Sequence, residues 1–572
     1  MAAHHAQEAT AFSMTETMVE RGDGPLRPTL PSLFSGTTLT TSPDPIPGFD
    51  TRHPERKEQT LDPRLTPATI PPEHAHRTLV LCFDGTGDQF DGDNSNIVQL
   101  VSLLKKNDRS KQMVYYQAGI GTYTFPKVAT PFTSKVYKTL DEMVAWNLDH
   151  HVMSGYEFLM QNYVDGDRIC LFGFSRGAYT ARSLAGMLHK VGLLPADNHQ
   201  QVPFAYTMYT RTDDLGWEQS NAFKAAFSVD VNIEFVGVWD TVDSVGLLPK
   251  RLPFTTSNTI VRTFRHAVSL DERRAKFKAN LWNRPSADEQ QLGIQYLPVV
   301  SASPEPLKEK KSKRKSTSSV TSKTSKKESE EDRKLSHFEE VYSSKQQRTT
   351  DVEEVWFAGC HCDVGGGSVS NKTRHSLARI TLRWMVRECF KTNTGIMFDS
   401  QALRGIGLDP TTLYPYVTPR PPPLPVGSEA YQELLKTSTV RRLAALVKKA
   451  KPDSAATAPV SANDNDGDVD EELEDLRDAL SPIYDQLKIK RSWWLLEIIP
   501  MKLRYQNGRN EWITYFSANL AKPRFIPKQR TSGVKVHRTV KLRMEANPPK
   551  ESKKQKKYKP KAHLSVEPTW ID

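Results

Sequence analysis

Short apolar runs that end in polar, glycine-bearing turns recur along the chain, and they restrict its fold more than any other feature. The runs cover residues 78–83, 112–118, 168–174, 233–239 and 355–359. Segments with apolar residues at helical spacing separate or follow them, at 135–163, 176–188 and 373–390. Strands that alternate with helices imply a mostly parallel sheet with helices on both faces. The sequence therefore predicts an α/β fold.

Three polar residues follow predicted strands at the end where parallel sheets carry function. Ser175 and Asp240 come directly after their apolar runs, and His361 lies just beyond a third run. The carboxyl ends of parallel strands meet at one edge of a sheet. These residues are far apart in sequence, but the predicted topology would bring them together.

The segment around Ser175 matches a strand–turn–helix pattern. Residues 173–177 read Gly-Phe-Ser-Arg-Gly, a G-x-S-x-G sequence whose tight turn exposes a serine hydroxyl above the sheet. The bare pattern is weak, because about 0.2 chance matches are expected in a chain of this length. The strand before it and the small-residue helix after it make it specific. We therefore expect Ser175 to be the nucleophile of an α/β-hydrolase-like fold.

A serine nucleophile needs a base, and His361 is the leading candidate. It follows a strand in the sequence GCHCDVGGG, whose glycines let the backbone pass close to another group. His266, in FRHAVSLDERR, is its rival. Packing beside Asp271 or Glu272 is the structural explanation for that second histidine.

An acid must orient the base and stabilise its protonated form. Asp240 directly follows its strand in GVWDTVDSVG, and the order Ser175, Asp240, His361 is the one expected for α/β-hydrolases. Asp243, three residues further on, is an alternative acid. Asp363 is a weaker alternative, because a side chain two residues from the base would need an unusual loop.

Backbone N–H groups are expected to form an oxyanion hole beside the nucleophile. One belongs to Arg176, and the other is expected from FDGTGD, at Gly85 or Thr86. Asp84 in the same loop is available to order it through hydrogen bonds. The aspartates of this region lack the spacing of an EF-hand, so the sequence predicts no metal and no cofactor.

Five motifs together resemble a known family. In chain order they read FDGTGD, GDRICLFGFSRGAYTAR, GVWDTVDSVG, FRHAVSLDERR and FAGCHCDVGGG. They resemble the uncharacterised α/β-hydrolase domain family that includes the catalytic domain of the first class of type VI secretion lipase effectors and many fungal members. The resemblance spans roughly residues 77–390. It implies an α/β-hydrolase fold, the residues Ser175, Asp240 and His361 as a catalytic triad, and, for the bacterial effectors, phospholipase activity.

Composition divides the rest of the chain into segments. We expect a disordered N-terminal region over 1–76, a catalytic domain over 77–391 with a disordered insertion at about 301–336, a cap or C-terminal subdomain over 392–449 and 476–545, a disordered acidic linker over 450–475, and a basic tail over 546–572.

The net charge of +11 is concentrated in two of these segments. Residues 305–334 contain 11 Lys or Arg against 6 Asp or Glu, and residues 550–561 contain 7 Lys against one Glu. The rest of the chain is therefore close to neutral. Such runs are typical of solvated segments, so no nucleic acid is expected as a partner.

Cysteine content and the N-terminal sequence bear on the compartment. The chain has five Cys, an odd number, and the sequence shows neither a secretory signal peptide nor the ~20-residue apolar run of a membrane span. We therefore expect an intracellular, cytoplasmic protein.

The sequence favours a serine hydrolase that acts on carboxylic esters, including phospholipids and lysophospholipids. Its expected partner is the ester substrate, and the basic segments together with WWLLEII leave peripheral membrane contact open. A Ser-Asp dyad of the patatin type, with Asp363 as the acid, is a second enzymatic hypothesis. A catalytically inactive scaffold with the same fold is a third.

Overall fold

The computed structural model describes residues 66–119, 148–242, 252–283, 335, 350–425, 427–429, 470–507, 511–546 and 557–572. Most of the segments expected to be disordered, at 1–65, 301–334 and 450–469, lie outside these residues, as does Asp243. The strands are β1 Thr69–Ile70, β2 Thr78–Phe83, β3 Gln112–Gln117, β4 Arg168–Phe174, β5 Ile233–Trp239, β6 Val261–Ser269, β7 Asp351–Phe357, β8 Phe398–Asp399, β9 Met501–Gln506, β10 Trp512–Ser517, β11 Lys535–His537 and β12 Thr569–Ile571.

The α-helices are α1 Asn96–Leu103, α2 Leu148–Asn162, α3 Arg176–Val191, α4 Val202–Thr210, α5 Asp214–Phe227, α6 His361–Gly365, α7 Leu377–Lys391, α8 Ser400–Gly405, α9 Glu471–Ala479, α10 Gln486–Ile489, α11 Trp494–Glu497, α12 Gln529–Ser532 and α13 Arg538–Glu545. Three short 3₁₀ turns accompany them, at His199–Gln201, Pro410–Thr412 and Arg491–Trp493.

Eight strands form the main sheet, in the order β12-β11-β7-β6-β5-β4-β2-β3. Every neighbouring pair in this sheet is parallel. Two small antiparallel pairs, β1 with β8 and β9 with β10, stand apart from it. A parallel sheet of this kind needs crossover connections, which explains the helices between its strands.

Helices cover both faces of the sheet. On β4, Cys170 and Phe172 pack in one core with helices α1 and α7. The alternate residues Ile169 and Leu171 pack in a second core with α2 and α3. Burial on both sides explains why these strands appear in the sequence as continuous apolar runs. The predicted α/β-hydrolase-like class, with a mostly parallel sheet and helices on both faces, is confirmed.

The C-terminal residues extend the same sheet. Strand β11 pairs with β7, and β12 pairs with β11. The sequence instead predicts a separate cap or subdomain over 476–545 and a basic tail over 546–572. Strands of three residues give no periodic signal, and the lysine-rich run before β12 dominates the local composition.

Helix α9 begins inside the segment expected to be an acidic linker. Its residues Glu471 and Asp475 are buried, because they form ion pairs with Arg387 and Arg383 of helix α7. The N–O distances are 2.5 and 2.6 Å. Acidic residues indicate a solvated segment in sequence, yet paired charges can be buried. This part of the predicted linker, 471–475, is therefore helical and packed.

The carboxyl ends of the central strands lie along one edge of the sheet. Strands β4, β5 and β7 all end there, with β6 between β5 and β7. The residues that follow these strands are therefore neighbours. Among the described residues, no helix has both the length and the apolar character needed to cross a bilayer.

Candidate active site

Ser175 lies in a tight turn between β4 and α3. Its backbone angles, φ 59° and ψ −121°, are ones that side-chain-bearing residues rarely adopt. A Cβ atom at Gly177 would come within 2.3 Å of the carbonyl oxygens of Phe83 and Asp84, so the helix starts directly against the end of β2. The Ser175 N–H donates to the Trp239 carbonyl at 3.0 Å. Close packing on both sides therefore holds the strained turn.

The structure brings Ser175, His361 and Asp240 into one hydrogen-bonded series. His361 Nε2 lies 2.8 Å from Ser175 Oγ, and His361 Nδ1 lies 2.5 Å from Asp240 Oδ2. The exposed fractions are 6% for Ser175, 3% for His361 and 0% for Asp240. An Nδ1–H donated to Asp240 leaves the Nε2 lone pair to accept the serine proton. These hydrogen bonds have the geometry that a serine nucleophile, a histidine base and an orienting acid require.

Asp240 has polar contacts on both oxygens besides His361. Its Oδ1 accepts from the Ser269 N–H at 2.8 Å, and the Arg524 guanidinium pairs with both oxygens at 2.5 and 2.9 Å. Burial acts to raise the pKa of Asp240, but Arg524 and His361 outweigh it, so the pKa is held far below its usual value. Asp240 is therefore ionised throughout the physiological range.

Aromatic rings and an ion pair surround the imidazole of His361. The rings of Phe174 and Phe277 each lie 4.7 Å from it, centroid to centroid. The backbone N–H of His361 donates to Glu272, which pairs with Arg274 at 3.0 Å. Burial lowers the pKa of His361, Asp240 opposes that effect, and Arg274 adds to it; the net shift is downward from 6.5. A neutral imidazole, able to accept a proton, is thus favoured at neutral pH.

His266, the alternative base, is held by other groups. It is fully buried on β6, its Nδ1 lies 2.8 Å from Glu354 Oε1, and its Nε2 accepts from the Thr241 N–H at 3.1 Å. Both ring nitrogens therefore have structural partners. The hydrogen-bond partner of Ser175 Oγ is His361 instead.

Asp363, the alternative acid, caps helix α6. Its Oδ2 accepts from the backbone N–H groups of Cys360 and Tyr484, at 2.8 and 3.0 Å. Burial raises its pKa to about 6. These bonds fix the short helix that begins at His361, so Asp363 supports the position of the base from its own backbone. The other alternative acid, Asp243, lies outside the described residues.

The expected oxyanion-hole residues flank the serine turn. Arg176 is the first residue of α3, so its N–H lies at the positive end of that helix dipole. The Gly85 N–H donates to the Asp84 side chain at 2.8 Å, which leaves Thr86 as the better second donor of the pair proposed from sequence. Asp84 also accepts from two hydroxyl groups, those of Ser95 and Tyr116, at 2.6 and 2.8 Å. Asp84 therefore orders the loop through hydrogen bonds, the role suggested for it from the sequence.

One set of metal-ligating groups occurs among the described residues, and it lies elsewhere. His375, Glu474 and Asp478 bring ligand atoms within 4.8 Å of one another. Arg379 already donates to both carboxylates, at 2.7 and 3.3 Å. A guanidinium thus supplies the positive charge in this cluster, and its residues make structural ion pairs.

Arg524 is the functional candidate that sequence reasoning missed. It lies between β10 and α12, more than 280 residues after the aspartate it contacts. Its guanidinium also donates to the carbonyls of Phe277 and Ser269. No local motif marks this position. By contrast, Glu272 and Arg274 lie within FRHAVSLDERR, so that motif could have directed attention to them.

The parallel sheet and the buried Ser–His–Asp series at its carboxyl edge define an α/β-hydrolase-like protein. Residues 77–388 match the family described as "T6SS, Phospholipase effector Tle1-like, catalytic domain". The chain belongs to this family, whose description supports a hydrolase of the lipase and phospholipase type. Arg524 lies outside the matched residues.

Similar proteins include a yeast relative and two solved structures. Uncharacterized protein YEL023C of Saccharomyces cerevisiae is 30% identical over 528 residues, which is 79% of this chain and 77% of that one. An uncharacterized protein from Pseudomonas aeruginosa is 16% identical, with 72% of this chain and 63% of that one covered and a TM-score of 0.29. The Tle1 effector bound to the VgrG spike of the type VI secretion system is 17% identical, with 36% and 47% covered and a TM-score of 0.22. The chain thus spans less than two thirds of either solved chain.

Proposed function

We propose that this protein is a serine hydrolase that cleaves carboxylic esters of phospholipids or lysophospholipids. Ser175 is the nucleophile, His361 the general base and Asp240 the orienting acid. The observation that carries the proposal is the buried hydrogen-bonded series from Ser175 Oγ through both imidazole nitrogens to Asp240. The ionised aspartate and the neutral imidazole are the protonation states that the chemistry requires.

The reaction has two halves. As Ser175 Oγ attacks the ester carbonyl carbon, its proton passes to His361 Nε2. The resulting oxyanion accepts hydrogen bonds from the backbone N–H groups of Arg176 and the loop at Thr86. The imidazolium then gives its proton to the leaving alcohol oxygen as the C–O bond breaks, which leaves an acyl group on Ser175. Water, deprotonated by His361, attacks this acyl ester and releases a carboxylic acid. The proton that His361 took from water then passes to Ser175 Oγ as the acyl group leaves.

The choice of lipid esters depends on family membership. The family is described as a phospholipase effector family, and its matched region contains all three proposed catalytic residues. The apolar rings of Phe174 and Phe277 beside the base suit a substrate with an acyl chain. We therefore place the scissile bond in an ester between a fatty acyl group and a glycerol backbone.

A fluorophosphonate probe tests the nucleophile directly. The full chain should be labelled, and Ser175→Ala should not be. Ser183→Ala is the matched control, because Ser183 lies in helix α3, which follows Ser175. Its hydroxyl is buried and donates to the Tyr179 carbonyl of the same helix. That variant should label like the parent. Absence of labelling in the folded parent would leave the inactive scaffold as the explanation.

Release of fatty acid from phosphatidylcholine and lysophosphatidylcholine tests the substrate class. His361→Ala should reduce turnover by about 10⁴- to 10⁶-fold, the range of losses seen when a triad member is removed. Near-parental turnover in this variant would instead favour the Ser-Asp dyad. In that case Asp363→Asn should abolish activity.

A further inference from the structure

The segment 489–525 exposes several large apolar side chains that a protein surface usually hides. We call the following six residues the apolar patch: Trp494, Leu495, Ile498, Phe516, Leu520 and Phe525. Each of the six is between 45% and 74% exposed to solvent. Single exposed apolar residues are common, but a concentration of this kind marks a surface that meets another apolar phase.

A buried carboxylate ties the parts of this segment together. Glu497 is fully buried, and its oxygens accept from the Ala275 N–H, the Asn519 side chain and the Ala521 N–H, at 2.6, 2.6 and 2.8 Å. The Leu520 N–H in turn donates to the Glu497 carbonyl at 2.9 Å. Helix α11 and the loop after β10 are therefore fixed to one another. Their exposed side chains belong to one ordered frame.

The same frame contacts the candidate active site. Trp493, which precedes the patch, packs 5.6 Å from Phe277, and Phe277 packs on His361. Arg524, which holds Asp240, lies immediately before Phe525, a patch residue whose ring is 4.8 Å from Tyr505. Neighbouring residues of one segment thus contact the reacting groups and the solvent. A surface that docks through the patch is held next to the catalytic residues.

The charges around the patch are mostly positive. Lys488, Lys490, Arg491 and Lys522 are exposed. Of the two acids in the segment, Glu497 is buried and fully bonded, and Glu511 is exposed. Cationic side chains beside exposed Trp, Leu and Phe side chains are the composition of surfaces that lie in the headgroup region of anionic bilayers. A second copy of this chain would present the same positive rim and would be repelled by it.

We propose that the apolar patch docks this protein on an anionic lipid bilayer. The inference rests on the proposed function and extends it, because it states that the lipid ester substrate lies in a bilayer. Leu495 and Phe516 enter the region between headgroups and acyl chains, and the surrounding lysines pair with lipid phosphates. The candidate active site is thereby brought to the surface from which its substrate must be drawn.

Vesicle co-sedimentation tests the inference without requiring hydrolysis. The parent is the full chain with Ser175→Ala, which keeps the lipid intact, and the vesicles are phosphatidylcholine alone or with phosphatidylserine. The parent should bind the anionic vesicles more tightly, and Leu495→Ser with Phe516→Ser should weaken that binding by about tenfold or more, since each buried apolar side chain contributes to insertion. Val164→Ser with Leu215→Ser, at two similarly exposed positions outside the patch, is the matched control and should bind like the parent.

A second variant tests the charged rim. Lys488→Glu with Lys490→Glu should lose the preference for phosphatidylserine, and parent binding should weaken as salt rises, because exposed charges are screened.

Binding by the patch variant equal to that of the parent would overturn the inference, and so would failure of the parent to bind either vesicle. A dimer in light scattering that the patch variant converts to a monomer, without vesicle binding, would assign the patch to self-association instead. Each of these outcomes leaves the fluorophosphonate result unaffected.

Discussion

Arg524 donates hydrogen bonds to Asp240 from both terminal nitrogens, Nη1 to Oδ1 and Nη2 to Oδ2, and the pair is almost completely buried. A two-point contact of this geometry fixes the plane of the carboxylate. The guanidinium also partly neutralises the carboxylate charge, which would otherwise interact with His361 alone. The proposed orienting acid is thus positioned by a residue from outside the family match.

We therefore expect Arg524→Gln to lower kcat while KM for a soluble ester changes little. We expect a loss on the order of 10- to 100-fold, by analogy with the residues that orient metal ligands. The acid limb of the pH–rate profile should also move to higher pH, because Asp240 without its cation stabilises imidazolium more strongly. Arg524→Lys, which keeps the charge but not the two-point contact, should recover part of kcat.

Removal of a buried partner can also destabilise the fold, so a structural control is needed. Arg538→Gln breaks another buried pair, with Glu472, that does not contact the proposed catalytic residues. Both variants should show a lower thermal midpoint. A purely structural role for Arg524 would give the two variants the same kcat and the same pH profile, and that result would contradict a positioning role.

The pH dependence of kcat/KM should reflect the neutral state of His361. Burial lowers its pKa from 6.5, so the neutral base persists at pH values where a solvated histidine is protonated. Activity should therefore be retained as pH falls to 6.5 and should decline only below that value. Steady-state rates on a water-soluble ester measure this limb directly.

Asp363 provides the control for this assignment, because its pKa of about 6 places it in the same interval. Asp363→Asn preserves an oxygen that can accept from Cys360 and Tyr484. If His361 is the titrating group, the limb stays in place in this variant. Disappearance of the limb would assign it to Asp363.

The central strands could be predicted from sequence because they are buried on both faces. Strands β2, β4 and β5 coincide with the apolar runs at 78–83, 168–174 and 233–239. Strand β6 was not predicted, since VRTFRHAVS includes Arg265 and His266. Both are buried only because Glu388 and Glu354 pair with them, and such pairing across more than 80 residues leaves no local trace.

The same reasoning explains what was missed at the site. Ser175, Asp240 and His361 each follow a strand, so the topology of a parallel sheet indicated that they would meet. Arg524 follows a two-stranded antiparallel pair in a region with no recognisable motif. Its role depends on a tertiary contact alone. The buried acids of α9 were mistaken for a linker for the same reason, because their arginine partners lie on α7.

Gly177→Ala should disrupt the turn that presents Ser175, the proposed nucleophile. The added Cβ would lie 2.3 Å from two backbone carbonyl oxygens, and backbone cannot move aside as a flexible side chain can. We expect a loss of stability of about 1–3 kcal/mol or more, together with lower kcat. Gly405→Ala is the matched control, because its Cβ would meet nothing within 4 Å and alanine favours a helix. Equal urea midpoints for the two variants would contradict the close approach of α3 to β2.

Acid should weaken the attachment of α9 to the domain. Burial acts to raise the pKa of Glu474, but Arg379 outweighs it and lowers the pKa from 4.5 to about 2. A carboxylate whose folded pKa is depressed contributes stability above its unfolded pKa and loses that contribution as pH falls through the folded value. The urea midpoint should therefore fall between about pH 5 and pH 2. Glu474→Gln should be less stable at neutral pH and show a flatter dependence, whereas Glu545→Gln, at an exposed helix end, should follow the parent. An unchanged slope in Glu474→Gln would show that other carboxylates carry the acid sensitivity.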